Sequence, residues 1–158
     1  MTQLYDVGVK STTGLETVDR DIREMRKAAR TALSKASTVL ARRYRDKLSK
    51  RSRGGPSAPG DPPARLTGAL RSTVGKDRPR RDGDKFTVAV GIGIGKAKAR
   101  RVEELKGKGV NVFEYAALLE HGGVFHADGR RYPPRPFARP AEEETEAEIV
   151  SILEASLR

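Results

Sequence analysis

A single long helical pattern constrains the fold of this chain more than any other feature. From Thr17 to about Lys50, apolar residues recur at steps of three or four, which is the spacing of one face of an α-helix. A helix of roughly 30 residues is long for one small domain, so we expect it to protrude or to lie across a sheet. Alanines keep the stripe narrow, so another element can approach closely. The stripe consists of Val18, Ile22, Met25, Ala29, Ala32 or Leu33, Ala36, Val39 or Leu40, and Leu48.

The sheet that such a helix needs is predicted by residues 86–95. Large apolar residues alternate there with small or polar ones, as in a strand that is buried on one face and bare on the other. We therefore predict that the first part of the helical stripe, Val18 to Ala29, packs on a sheet that contains Phe86 to Ile94.

Turn residues and shorter periodic runs predict the remaining elements. Residues 51–65 are rich in glycine and proline, which block regular structure, so we expect a mobile loop there within a single domain spanning residues 1–158. Thr67 suits the N-cap of a short helix, and Val112 to His121 reads as a helix stopped by Gly122. Further expectations are a short strand with Leu4, Val7 and Val9, and an exposed loop or hairpin tip from Lys96 to Gly109. A hairpin is expected to join Val124–His126 to Arg131–Tyr132 around Asp128-Gly129.

A final helix is expected to begin at Pro140, because proline suits the first helical position. Its predicted apolar stripe is Ile149, Val150, Leu153 and Leu157. The fold class that follows is α+β, with a long N-terminal helix and a C-terminal helix packed on a small, mainly antiparallel sheet.

Composition excludes several classes of function. The chain has no cysteine, so disulfides, thiolate metal ligands and cysteine nucleophiles are excluded. Residues 91–96 lack the spacing of a phosphate-binding loop, and the two histidines are too irregularly placed for a metal face on one helix. Glu120 has no indicated catalytic partner. We therefore predict no enzyme, cofactor or metal site. The absence of a signal-peptide pattern and of a long apolar stretch predicts a protein made in the cytoplasm.

The net charge of +11 is unevenly distributed along the chain. Residues 141–158 contain six glutamates and one arginine, a net charge of −5, so residues 1–140 carry +16. This polarity suits contact with nucleic acid or contact between unlike surfaces of two copies, although each charged run is also compatible with a solvated face. The candidate interface residues are Arg78, Arg80, Arg81, Lys96, Lys98, Arg100, Arg101, Glu142, Glu143, Glu144 and Glu146.

Three short motifs follow one another in the second half of the chain. They are Thr-Gly-Ala-Leu-Arg at 67–71, Tyr-Ala-Ala-Leu-Leu-Glu-His-Gly at 115–122, and Pro-Arg-Pro-Phe-Ala-Arg-Pro-Ala at 134–141. In this order and spacing they resemble the pattern of neck and minor tail-component proteins of long-tailed bacteriophages, a family also called tail-completion, head–tail joining or virion morphogenesis proteins. The motif residues are Thr67, Gly68, Leu70, Arg71, Glu120, Gly122, Pro136, Phe137 and Pro140.

The resemblance implies a structural virion protein that forms a homo-oligomeric ring at the junction between the head and the tail. Implied partners are other copies and adjoining neck and tail proteins, such as head-completion and tail terminator or tube rings, with genomic DNA passing close by. It implies turns at Gly68 and Gly122, a core anchor at Phe137, and an ion pair between Arg71 and Glu120 within or between subunits. The alternatives are a nucleic-acid-binding accessory protein and, within the same class, a tail terminator protein.

Overall fold

The computed structural model describes residues 12–49, 55, 57–63, 68–125 and 129–156. Its helices are α1 (Thr12–Lys47), α2 (Ala69–Thr73), α3 (Lys96–Lys106), α4 (Val112–His121) and α5 (Ala138–Ala155). Its strands are β1 (Val74–Lys76), β2 (Arg80–Asp82), β3 (Lys85–Thr87), β4 (Val90–Ile92), β5 (Gly123–Val124) and β6 (Arg131–Tyr132). The predictions for Leu4, Val7, Val9, Thr67, His126, Asp128 and Leu157 lie outside the described residues.

The α+β class is confirmed, because a long first helix and a closing helix accompany small antiparallel sheets. The described strands form three antiparallel pairs, β1 with β4, β2 with β3, and β5 with β6. Helix α1 contacts α5 and also contacts β1, β3 and β4. The core lies where the C-terminal half of α1, called its inner half below, meets the other helices. The N-terminal half is called the outer half. The buried residues of the core are Tyr44, Leu48, Leu70, Val74, Leu105, Val112, Ala116, Leu119, Phe137 and Ala141.

Helix α1 forms as predicted, but the predicted packing of its first half is wrong. Val18, Ile22 and Met25 are 53%, 37% and 66% exposed, and they do not pack on the sheet. The buried face comes later in the helix, and it consists of Ala32, Ala36, Ser37, Ala41 and Tyr44, continuing to Leu48 just beyond the end of the helix. Helical spacing shows which residues share a face, but it carries no information on how far along that face other elements extend.

The alternation predicted for residues 86–94 is confirmed up to Val90, but the single strand is not. Phe86, Val88 and Val90 are half-buried, whereas Thr87 and Ala89 are exposed. The segment divides into β3 and β4, which pair with different partners: Arg80 lies opposite Thr87, and Val74 lies opposite Ile92. Partner strands come from elsewhere in the chain, so local alternation does not reveal the break.

The loop predicted from Lys96 to Gly109 is wrong, because residues 96–106 form α3. This helix buries Val102 and Leu105 and ends at Gly107. The segment is built mainly from alanine, lysine, arginine, glutamate and leucine, which are strong helix formers. A high density of charge is compatible with a helix that buries only two residues.

Two later predictions hold in most details. Helix α4 has the predicted bounds, and the side chain of Asn111 caps it by accepting a hydrogen bond from the Glu114 N–H at 3.3 Å. The hairpin forms from β5 and β6.

Helix α5 begins two residues before Pro140, so the prediction that this proline is the first helical residue is wrong. Proline is still tolerated at the third helical position, because an N–H group there would have no acceptor within the helix. The fully buried residues of α5 are Ala141 and Thr145, while Val150 of the predicted stripe is 46% exposed.

Candidate functional site

Glu120 joins the end of α4 to the beginning of α5. Its carboxylate accepts hydrogen bonds from the backbone N–H groups of Phe137, Ala138 and Arg139, each at 3.0 Å. These groups lie at the N-terminus of α5, where N–H groups lack intrahelical partners and a negative charge is favourable. Partial burial alone would raise the pKa of Glu120, but the three donors outweigh it and hold the pKa below its usual range. A side chain from one helix therefore caps another.

Gly122 allows the chain to turn back from α4 toward α5. Its φ is +70°, and a Cβ at this position would lie 3.0 Å from Cδ and N of Pro134 and from the carbonyl oxygen of Tyr132. The Gly122 N–H closes α4 by donating to the Leu118 carbonyl at 2.8 Å. Only glycine accommodates both this backbone conformation and this contact without a shift.

Phe137 is the apolar anchor of the same junction. It is 4% exposed and meets Tyr44 of α1 edge to face, with ring centroids 6.3 Å apart. The Tyr44 hydroxyl donates to Glu142 of α5, and burial is the main cause of the raised pKa of Tyr44. The prediction of a buried Phe137 is confirmed, and half-buried Pro136 holds the chain extended before it.

The first motif builds a second contact with α1. Leu70 is buried, and Gly68 precedes α2 with a φ of +72°. Arg71 Nε donates to the Ser49 hydroxyl at 2.8 Å and to the Arg45 carbonyl at 3.3 Å. Since Arg71 and Glu120 have different partners, the predicted ion pair between them is wrong within the chain; its intersubunit form stays a prediction.

Part of the proline-rich segment also packs on this junction. The Gly60 N–H donates to the Pro134 carbonyl at 2.9 Å, and Arg135 Nε donates to the Ser57 carbonyl at 2.8 Å. Pro63 is the described residue that most closely precedes the Thr-Gly motif, and it is buried. Residues of the second and third motifs and their neighbours therefore make one framework, which we call the α4–α5 junction: Glu120, Gly122, Pro134, Pro136, Phe137 and Tyr44.

The acidic residues of α5 divide into two groups. Glu142, Glu143 and Glu144 have partners within the chain: Tyr44 for the first, Arg139 at 2.9 Å for the second, and Lys47 and Arg43 for the third. The hydrogen bond from Lys47 is the main cause of the lowered pKa of Glu144. Glu146 and Glu148 are exposed and make no ion pair with any described residue. These two carboxylates remain available to another molecule.

Most of the predicted basic interface residues also have neighbours of their own. Arg80 pairs with Asp77 at 2.6 Å, and both Arg100 and Arg101 pair with Glu104, at 3.5 and 2.9 Å. Lys98 is half-buried and donates to the Ser72 carbonyl at 2.8 Å, so it is a structural contact. Arg81 donates to the Gly83 carbonyl at 2.6 Å; Arg78 and Lys96 are exposed.

A basic groove that the sequence did not predict lies between α1 and the β2–β3 hairpin. Arg26, Lys27 and Arg30 of α1 line it opposite Arg81, with Pro79 and Phe86 completing the walls around about 370 Å³. The spacing of the three α1 cations was visible in the sequence, but the approach of the hairpin was not. Lys76 was also missed: its ammonium donates to the Ser34 carbonyl and the Thr38 hydroxyl, at 2.8 and 2.6 Å, and ties β1 to α1.

Within the described ranges, no group of three or more histidine, cysteine, aspartate or glutamate side chains is placed to hold a metal ion. Among the described helices, none combines the length and the apolar character needed to cross a membrane. No protein-family model, curated protein or solved structure matches the chain.

Proposed function

We propose that this chain is a structural virion protein of the neck or upper tail of a long-tailed bacteriophage, forming a homo-oligomeric ring that helps to complete the tail and join it to the head. The observation that carries the proposal is the α4–α5 junction. The second and third motifs lie more than ten residues apart in the sequence, and they meet there: the Glu120 carboxylate accepts a hydrogen bond from the Phe137 N–H.

The charge distribution supports contact between unlike surfaces of neighbouring copies. A ring requires one surface of each copy to meet a different surface of the next. Glu146 and Glu148 on α5 and the basic groove between α1 and the β2–β3 hairpin have complementary charge. Exposed ion pairs contribute only about 0–1 kcal/mol each, so apolar contacts must accompany them.

The proposal is tested by the joining of purified heads to tails and by negative-stain images of the assembled protein. We expect rings in the images, and we expect heads and tails that lack this protein to join only when it is added. Failure to restore joining, with a correctly folded protein, contradicts the proposed function.

A double variant tests the electrostatic contact. Glu146→Gln with Glu148→Gln is expected to weaken ring assembly at low salt while leaving the monomer folded, because neither side chain has an ion-pair partner among the described residues. The matched control is Asp61→Asn with Glu103→Gln, which changes the net charge equally at exposed positions elsewhere. Equal assembly of both variants at low and high salt rules out this contact.

The basic groove favours one second candidate, a nucleic-acid-binding accessory protein. Four cations beside an aromatic ring are suited to a phosphate backbone. Tight binding of duplex DNA by the free protein at ~0.15 M salt, lost on changing Arg26 and Arg30 to glutamine, distinguishes this candidate from the ring protein.

A further inference from the structure

The outer half of α1 carries an apolar seam that the described part of the chain leaves open. Val18, Ile22, Met25 and Ala29 follow one another at steps of four, three and four, and Ala32 and Ala36 continue the same alternation. This is the heptad spacing of a helix that packs along another helix. The inner two residues are 2% and 4% exposed, whereas Val18 and Met25 are 53% and 66% exposed. One continuous face is therefore covered at its inner end only.

Helix α5 ends beside the point where the seam opens. Ile152 and Ala155, near the end of α5, border a groove with Ala28, Thr31 and Ala32 of α1. From residue 16 to residue 27, every residue of α1 is exposed. We call the segment from Val18 to Ala29 the outer seam; at 1.5 Å per residue it is about 18 Å long.

We propose that a second copy of this chain covers the outer seam, with the two α1 helices antiparallel. When the helices are aligned about the midpoint between Ile22 and Met25, Ile22 of each copy meets Met25 of the other, and Val18 meets Ala29. Asp19 and Arg26 occupy equivalent positions, each directly after a seam residue. In an antiparallel pair such positions face each other, so Asp19 of each copy lies opposite Arg26 of the other. The pair thus contains two contacts between opposite charges.

The burial of Ala32 and Ala36 within each copy favours the antiparallel arrangement of the two α1 helices. In a parallel pair, both bodies lie at the same end, where α1 already packs inside its own chain from Ala32 onward. In the antiparallel pair, the bodies lie at opposite ends of the outer seam, and the two helix ends are free to overlap. This contact is twofold and closed, so it describes the free protein and does not depend on the proposed role in a ring.

The first test is analytical ultracentrifugation of the full chain over a range of concentrations. We expect a reversible dimer, and we expect Ile22→Asp to raise its dissociation constant at least about 100-fold, because the side chain leaves the seam in both copies. Ile22 is 37% exposed in the single chain, so the far-UV circular dichroism spectrum is expected to persist. The control is Val150→Asp, which places the same charge at an exposed apolar position on α5 and is expected to leave the dimer unchanged.

The second test exchanges charges across the seam. Asp19→Arg alone and Arg26→Asp alone are each expected to weaken the dimer about 10-fold, because like charges then face each other. The two changes together are expected to restore the wild-type dissociation constant. In a parallel pair, Asp21 faces Arg26 of the other copy instead, so recovery by Asp21→Arg with Arg26→Asp overturns the antiparallel arrangement. A protein that is monomeric at every concentration, or an oligomer that is indifferent to Ile22→Asp, overturns the proposal entirely.

Discussion

Replacing Glu120 with alanine tests whether the α4–α5 junction stabilises the fold. The change removes the acceptor of three N–H groups, two of them, on Phe137 and Ala138, in part-buried hydrogen bonds. Loss of a helix N-cap typically costs about 0.5–2 kcal/mol, and a buried donor left without a partner costs about 1–3 kcal/mol. Water can reach the Arg139 N–H, so the expected loss in the free energy of unfolding is about 2–3 kcal/mol.

Urea unfolding followed by circular dichroism measures this loss as a lower midpoint at an unchanged slope. Glu148→Ala is the control on α5, because its side chain is exposed, and we expect it to change the free energy of unfolding by less than about 0.5 kcal/mol. A loss for Glu120→Ala no larger than that of the control would show that the three hydrogen bonds do not hold the junction together.

The dependence on pH provides an independent check of the same junction. Because the folded-state pKa of Glu120 is lowered, its contribution to stability is fully present above the pKa of the unfolded chain. That contribution is lost as the pH falls through the lower, folded-state pKa. The stability difference between the wild type and Glu120→Gln is therefore expected to shrink in acid. A difference that stays constant from neutral pH into acid contradicts the role of the charge.

Three further substitutions probe the contacts around the junction and the sheet. Phe137→Ala is expected to lower the free energy of unfolding by about 3–5 kcal/mol, because it leaves a cavity beside Tyr44. A loss below about 1 kcal/mol in urea unfolding would show that the Phe137 side chain contributes little to the packing of the core. Gly122→Ala is expected to cost about 1–3 kcal/mol through backbone strain and the contact with Pro134, and an unchanged thermal midpoint would refute it. Lys76→Met is expected to cost about 1 kcal/mol by breaking the hydrogen bonds from β1 to α1, with chemical denaturation as the measurement; no loss would mean that water replaces them.

The sequence predicts local elements well and their partners poorly. The predicted bounds of helix α4 are correct; Gly122 marks its C-terminal end in the sequence, and the structure adds Asn111 as the cap of its N-terminal end. The alternation of residues 86–90 was also correct, yet the two strands within it pair with β1 and β2, which local spacing does not encode. The same limit explains α1: its period was correct, but the extent of α5 decides which half is buried.

For the candidate site, the motif residues were visible in the sequence, but their contacts were not. The resemblance implied a core anchor at Phe137, and this residue is buried. The role of Glu120 was not predicted, because its partners are backbone N–H groups 17 to 19 residues away, which leave no side-chain signature in a sequence. The basic groove was missed for a similar reason: cations on α1 and on the β2–β3 hairpin meet only after folding.

Because α1 is covered along only part of its length, the free energy needed to open its backbone hydrogen bonds is expected to differ between its two halves. Its 36 residues extend about 54 Å, but among its described side chains the buried ones all lie from Ala32 onward. In the single chain, backbone amides near Arg20 and Arg23 depend on intrinsic helix propensity alone, and isolated helical turns in water open readily. Amides near Ala36 and Ala41 are released only when the core itself opens. We therefore expect hydrogen–deuterium exchange to be fastest near Arg20 and Arg23 and slowest near Ala36 and Ala41, and we expect any molecule that covers the outer seam to slow the exchange there first.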